Sequence, residues 1–302
     1  MELWIPVTVA AAFFQTLRFM LQKSVSTSDL TSAGATFARF FFSAPLVLTG
    51  VALWLWGSGM ALPEFTTAFW IYGAIGGLAQ IFATICVVAI FRTRNFAVGI
   101  TFKKTEVVQT ALVGLVVLGE GVSAWGFVAI VIGLAGVLLL SETPGLTGHW
   151  LRRMANRAAG LGLLSGFFFA ISGVCYRGAT LEIASDLPAF RAAVTLAAVV
   201  TFQALSLGLW LRLREPGQIT RVWQARRRAG WIGVTSLAGS LCWFTAFTLQ
   251  NAAYVNAVGQ VELILSLFAS VLVFHEKITA REGVGIALLG VSILGIVLAI
   301  GT

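Results

Sequence analysis

At 302 residues, with 58% hydrophobic side chains and only 11% charged ones, the chain lies far from soluble proteins, in which about a quarter of residues are charged. Lipid must be the solvent for most of its surface, and the apolar segments recur so regularly that too little is left over to build a soluble domain. The formal charge of +8 does not mark a nucleic-acid partner, because Lys and Arg cluster in the short connections between apolar runs, where they set topology.

A membrane-crossing helix needs about 20 mainly apolar residues to cover roughly 30 Å of hydrocarbon. Ten candidates follow one another along the chain, at 3–21, 32–56, 67–90, 96–118, 123–141, 158–178, 187–210, 231–250, 254–274 and 281–300. The first begins almost at Met1, lacks a basic leader and carries Arg18 near its end, so it reads as a span and not as a cleaved signal peptide. Turn formers punctuate the series: Gly57-Ser58-Gly59 with Pro63, Glu120-Gly121, Pro144-Gly145 and Pro216-Gly217. The short alternating segments of a transmembrane barrel are missing. Cys86, Cys175 and Cys242 all fall inside apolar runs, with no Cys-x-x-Cys pair and no nearby His, so reduced thiols are expected and neither a metal nor a cofactor is.

The chain repeats itself. At an offset of 156 residues without gaps, Phe91, Asn95, Ala97, Glu106, Val117 and Glu120 meet Phe247, Asn251, Ala253, Glu262, Val273 and Glu276, and further identities run from Ala124 to Leu138. A weaker echo pairs Arg39 with Arg191. The expected architecture is therefore an all-α polytopic membrane protein of ten transmembrane helices, built as two five-helix units. These are residues 1–141 and 158–302, joined by a loop at 142–157. Five is odd, so the second unit is inverted relative to the first; inverted repeats place a substrate site near the midplane, in a central cavity between the units, with alternating access by rocking.

Orientation follows from the connections. Lys23, Arg92, Arg94, Arg152, Arg153, Arg157, Arg212, Arg214, Arg221, Arg226 to Arg228, Lys277 and Arg281 all fall after odd-numbered spans, whereas the opposite side shows only Arg177. The positive-inside rule then puts both termini on the periplasmic side of a bacterial inner membrane. The run Arg226-Arg227-Arg228 reads as an anchor toward anionic membrane lipids. Trp4, Trp54, Trp56, Trp70, Trp150, Trp210, Trp223 and Trp231 lie near span ends, as an interfacial belt would.

The stretch Thr101-Phe102-Lys103-Lys104-Thr105-Glu106, the apolar run to Leu118-Gly119-Glu120 and the Gly-rich span ending Gly133-Leu134-Ala135-Gly136 resemble the EamA-like branch of the drug/metabolite transporter superfamily. A second copy runs from Asn251 through Glu262 and His275-Glu276 to the span around Gly290 and Gly295. The resemblance implies a basket of ten helices around a central cavity and transport of amino acids, other metabolites or organic cations. Two departures stand out. Members of the family place basic residues after the second span and keep their termini in the cytoplasm, whereas here that connection holds only Glu64. The Lys-Lys-Thr stretch also looks like nucleotide-sugar carriers of the same superfamily, but these carry a further Lys where this chain has Glu106, so a nucleotide-sugar substrate is not expected.

Ionisable groups inside a membrane cost at least a few kcal/mol unless paired or hydrated, which makes them functional candidates. They are Arg18, Arg39, Lys103, Lys104, Glu106, Arg191 and Glu262, and their positive excess favours an anionic or zwitterionic solute. Glu106 and Glu262, equivalent in the repeat, are the candidate sites for exchanging a proton against substrate; the alternative for Glu106 is a plain i, i+3 pair with Lys103. Gln109, Asn256 and Gln260 can orient polar groups of a solute or simply join helices. Arg39 and Arg191 can clamp a carboxylate or snorkel to the interface. Trp243, with Phe244 and Phe247, can line the cavity by stacking. Gly162 with Gly166, and Ala129 with Gly133, have the spacing for close helix approach. Glu120 and Glu276 stand where a gate or hinge would.

An intramembrane enzyme is the rival class, but His149 and His275 are the only histidines, and no Gly-x-Ser-x-Gly, His-Glu-x-x-His or phosphate loop occurs. A channel is a second rival. The expectation is a secondary transporter, an exporter of small amphipathic metabolites such as amino acids, with the proton as candidate coupling ion. The alternative substrate class is drugs and organic cations.

Overall fold

The computed structural model describes residues 2–26, 30–93, 96–141, 157–265 and 279–301. His149, His275, Glu276, Lys277, Arg94, Asn95, Arg152, Arg153, Trp150 and the Pro144-Gly145 turn lie outside the described residues. What is described is helical, with no strand. In chain order the helices are α1 Trp4–Ser26, α2 Ser32–Ser58, α3 Thr67–Phe91, α4 Phe96–Lys103, α5 Glu106–Leu118, α6 Ala124–Ser141, α7 Arg157–Leu181, α8 Pro188–Arg214, α9 Gln218–Gln224, α10 Arg226–Leu249, α11 Ala252–Gly259 and α12 Ala280–Gly301.

Seven of these (α1, α2, α3, α7, α8, α10 and α12) are long and apolar enough to cross a membrane. The chain is thus a polytopic membrane protein. The seven fall short of the ten expected spans for a local reason: the fourth span is interrupted, as α4 of 8 residues and α5 of 13. The ninth is interrupted too, as α11 of 8 residues followed by helix at 261–265. α6, at 18 residues, is also short.

Neither interruption uses Gly or Pro to leave helical space. Thr105 has φ −64°, ψ −10° and Gln260 φ −63°, ψ −10°, close to the helical basin but tightened toward 3₁₀ geometry. At the first break the amide of Lys104 reaches only Thr101 O and that of Thr105 only Phe102 O, each three residues back. The Thr105 hydroxyl also donates to Phe102 O at 2.7 Å, serving a carbonyl near the end of α4. At the second break Gln260 N reaches Ala257 O, again three residues back. In the repeat register the two interruptions coincide to within one residue.

Glycines on α7 let the first break approach. A side chain at Gly162 would collide with Gly99 O of α4, and one at Gly166 would sit 2.9 Å from Lys103 O and 3.3 Å from Glu106 N. The small-xxx-small pair on α7 therefore seats backbone against backbone. A second such seam joins α6 to α12, where Gly136 faces the backbone of Gly285 and the Ser292 hydroxyl donates to Ala129 O at 2.7 Å.

The two halves interleave: α3 packs on α7, α1 on α10, α2 on α8, α5 on α11 and α6 on α12. Polar contacts sort into two ends. At one, the Thr31 cap of α2 bonds Glu215 and Gln218, beside Arg212, Arg214, Arg221 and Arg226 to Arg228. At the other, Thr66 bonds Glu182 at 2.6 Å and Arg177 pairs with Glu120 at 2.6 Å. Among the belt tryptophans, Trp56, Trp70, Trp210, Trp223 and Trp231 are exposed, but Trp4 is buried and its indole donates to Glu2.

Candidate functional site

The helix breaks and the flanking helices enclose a chamber with an empty volume of about 590 Å³, mouth included. Its walls come from both halves: Gln15 and Arg18 on α1, Arg39 on α2, Gln80 on α3, and Lys103 and Glu106 at the first break. Phe169 to Tyr176 on α7, Ser240 to Phe247 on α10, and Asn256, Gln260 and Glu262 at the second break complete them. Of the residues singled out from sequence, Glu106, Glu262, Lys103, Asn256, Gln260, Arg39 and Trp243 all line this space.

Charge is arranged in three groups. Lys103 donates to Glu106 at 2.8 Å, the i, i+3 pair that the spacing allowed, with its ammonium 4.9 Å from the centre of the Phe169 ring. Glu106 also stands in the first turn of α5, where the helix dipole favours a carboxylate. Lys104 is almost fully buried and pairs with Glu262 of the other half, whose second oxygen accepts from Gln15 Nε2 at 2.8 Å. Glu262, which has no basic residue on its own span, thus takes its cation from the first break.

The third group is Arg39. Its Nε donates to Ser236 Oγ at 2.7 Å, Nη1 to Thr84 Oγ1 at 3.2 Å and Nη2 to Ser240 Oγ at 3.1 Å. These acceptors are hydroxyls on α3 and α10, so the guanidinium is held in place while its charge stays uncompensated. Nearby Arg18 donates to Gln22 Oε1 at 2.8 Å and lies close enough to Arg39 for the two like charges to oppose each other.

Two polar atoms on the chamber wall have no partner within the described protein, Trp243 Nε1 and Gln260 Oε1. One is a donor and the other an acceptor. The aromatic wall is ordered by stacking of Trp243 on Phe247, centroids 5.5 Å apart, and of Tyr176 on Phe244 at 4.3 Å. Asn256 Nδ2 donates to Thr110 Oγ1 at 2.9 Å, a further bond between the halves.

Gln109 and Arg191 stand elsewhere. Gln109 packs beside the first break, its amide donating to Thr105 Oγ1 at 3.2 Å and its oxygen unpaired. Arg191, at the start of α8, donates from Nε to Thr180 O at 2.8 Å on the end of α7. It is outside the chamber, so Arg39 has no second arginine from α8 to complete a clamp. Sequence reasoning passed over Gln15, Gln80, Ser240 and Tyr176. Gln15 and Gln80 carry the signal of an amide in the middle of an apolar span; the serine is too common in such spans to stand out.

Residues 156–298 match the EamA-like transporter family. A protein of Lactiplantibacillus plantarum (strain ATCC BAA-793 / NCIMB 8826 / WCFS1), provisionally named for sugar uptake, is 26% identical over 242 residues, covering 77% of this chain and 78% of that protein. A crystal structure titled only as that of a protein superposes with a TM-score of 0.71 at 15% identity, over 98% of this chain and 96% of the other. That chain has the same fold.

Proposed function

We propose, starting from the match of residues 156–298 to the EamA-like transporter family, that this chain is a secondary carrier of the drug/metabolite transporter type that moves small amphipathic metabolites, amino acids among them, by alternating access. The observation that supports it is a polar chamber bounded by both halves and lying at two interrupted helices, with Lys104 of one half bonded to Glu262 of the other. Interrupted spans at a midplane cavity are the usual setting of such sites, since broken backbone is tolerated only where it lines a cavity or is covered by protein.

Rocking of the halves requires the bonds between them to loosen in turn. An ion pair in a low-dielectric site is strong, and a proton delivered to Glu262 would cancel its charge and release Lys104. That makes the pair the point of coupling between a proton and the movement in this reading. Export and uptake, the direction named for the bacterial relative, are opposite senses of one reversible cycle whose direction the gradients set. Ten spans and both termini on the periplasmic side remain the arrangement that this cycle assumes.

A second reading, uptake of an uncharged sugar, has the relative's name and the unpaired Trp243 N–H and Gln260 oxygen in its favour. Organic cations fit less well, because the chamber already carries more positive than negative groups. The test is solute counterflow in proteoliposomes with and without a pH gradient. Glu262→Gln combined with Lys104→Met, which removes both charges together, is expected to fold and to transport without response to the gradient. A double variant that still follows the pH gradient removes the proton role, and unsaturable flux in the wild type removes the carrier.

A further inference from the structure

We infer that the solute of this chamber is a net anion, a small hydroxylated carboxylate, with its carboxylate between Arg18 and Arg39 and its hydroxyl between Trp243 and Gln260. The inference rests on the carrier reading above and narrows its substrate class.

The first support is a charge count. Of the groups lining the chamber, Arg18, Arg39 and Lys103 oppose Glu106 and Glu262, and each of these two carboxylates is already bonded to a lysine, Glu106 to Lys103 and Glu262 to Lys104 behind the wall. Among the described residues no carboxylate lies within ion-pair distance of Arg18 or Arg39. Both arginines are buried, at 3% and 4% exposure. Buried charge without a counter-charge is unfavourable, and hydroxyl oxygens spread that charge without cancelling it. A zwitterion would leave the excess as it is, and its ammonium would find no free carboxylate. A cation would increase the excess. An anion relieves it.

The second support is geometric. Three N–H groups of Arg39 are spent on Ser236, Thr84 and Ser240, which fix the plane of the guanidinium; of its five donors two remain. Each of those hydroxyls accepts from Arg39 and retains its own hydrogen for donation. An oxyanion arriving there meets oriented donors that need no rearrangement, as charge-assisted recognition requires. The third support is the unpaired pair elsewhere on the chamber lining. Trp243 Nε1 and Gln260 Oε1 are a buried donor and a buried acceptor, and a hydroxyl group is both.

Purified wild-type protein is titrated by calorimetry with malate (two carboxylates and a hydroxyl), succinate (the same without the hydroxyl), leucine, glucose and tetramethylammonium, and malate counterflow is then measured in proteoliposomes. Malate is expected to bind, succinate about tenfold more weakly because two buried polar atoms stay unpaired, and the other three not to compete. Arg39→Gln and Arg18→Gln are each expected to weaken malate about a hundredfold, with Arg39→Lys intermediate; two separate arginines keep the test open if one variant fails to fold. Malate affinity unchanged in both glutamine variants overturns the site, and binding of leucine or glucose with no binding of malate or succinate overturns the substrate class while sparing the carrier. Malate binding that depends on the arginines without malate counterflow upholds this inference and overturns the carrier.

Discussion

The two interrupted spans hold equivalent positions and unlike chemistry. Around the first break stand Lys103, Lys104, Thr105 and Glu106; around the second, Gly259, Gln260, Val261 and Glu262. The glutamates match, but the first half supplies both lysines and the second supplies none. Glu106 is satisfied within its own span by Lys103, whereas Glu262 draws Lys104 across from the other half. Where the first break has the Lys103 side chain over Phe169, the second has a glycine whose bare backbone admits the Trp243 ring. Unlike residues at positions matched in the sequence thus make a bond between the first and second halves of the chain, and a chamber with unlike walls.

The largest test of this asymmetry removes the crossing cation. Lys104→Met takes from the Glu262 carboxylate the cation it pairs with, and losing one partner of a buried ion pair costs about 3–5 kcal/mol. Lys103→Met is expected to cost less, because Glu106 keeps the dipole of α5. Thermal unfolding in detergent compares the two. If Lys103→Met proves as damaging as Lys104→Met, the crossing pair is no more important to the fold than the local one. Glu262→Gln added to Lys104→Met is expected to restore most of the loss.

Much of this was legible in the chain, and the limits have physical causes. Spans are written in runs of about 20 apolar residues, and intramembrane charges announce themselves, which is why Arg39, Lys103, Glu106 and Glu262 could be singled out. The breaks were not legible. Thr105 and Gln260 tighten the helix by about 30° in ψ relative to the ideal, which any residue can do, so neither turning residue is a Gly or Pro, and Gly259 beside the second break has no counterpart at the first. Partnerships were hidden because they join distant segments: Arg39 finds hydroxyls on α3 and α10, and Glu262 finds Lys104 and Gln15 from the other half. The echo between Arg39 and Arg191 misled for a local reason. Arg191 sits one turn into α8, within reach of the carbonyl that ends α7, and that contact draws it away from the chamber.

An intermediate effect is expected from Gly259→Ala, which sharpens the contrast between lysine and glycine at the matched position. The new methyl group would collide with the Trp243 ring, and overpacking of this kind costs about 1–3 kcal/mol. The displaced ring lines the chamber, so transport is expected to fall more than stability does. Trp243→Phe in the same chain makes room and is expected to recover stability, while flux stays below the wild type because the indole N–H is gone. Flux equal to the wild type in Gly259→Ala alone would show that the ring position does not bound the solute.

The smallest stability effect belongs to the end of the first interrupted span, where Arg177 holds Glu120 at 2.6 Å through Nε and Phe247 O at 2.7 Å through Nη1. Together these tie α5, α7 and α10 at the end of the chamber away from the arginine-rich connections. The pair is only part buried, so Glu120→Gln is expected to cost about 1 kcal/mol or less. Its weakness suits a contact that opens in each turn of the proposed carrier cycle: a bond of several kcal/mol would hold the halves shut. Thiol labelling reads the consequence, with Ser172→Cys on the chamber wall and Cys86, Cys175 and Cys242 replaced by alanine. A membrane-impermeant reagent added from that end is expected to label Cys at position 172 several-fold faster when Glu120 is also replaced by Gln. Equal labelling rates would mean that the Arg177 contacts decorate this end without closing it, and the task of sealing the chamber would pass to the aromatic wall of Trp243 and Phe247.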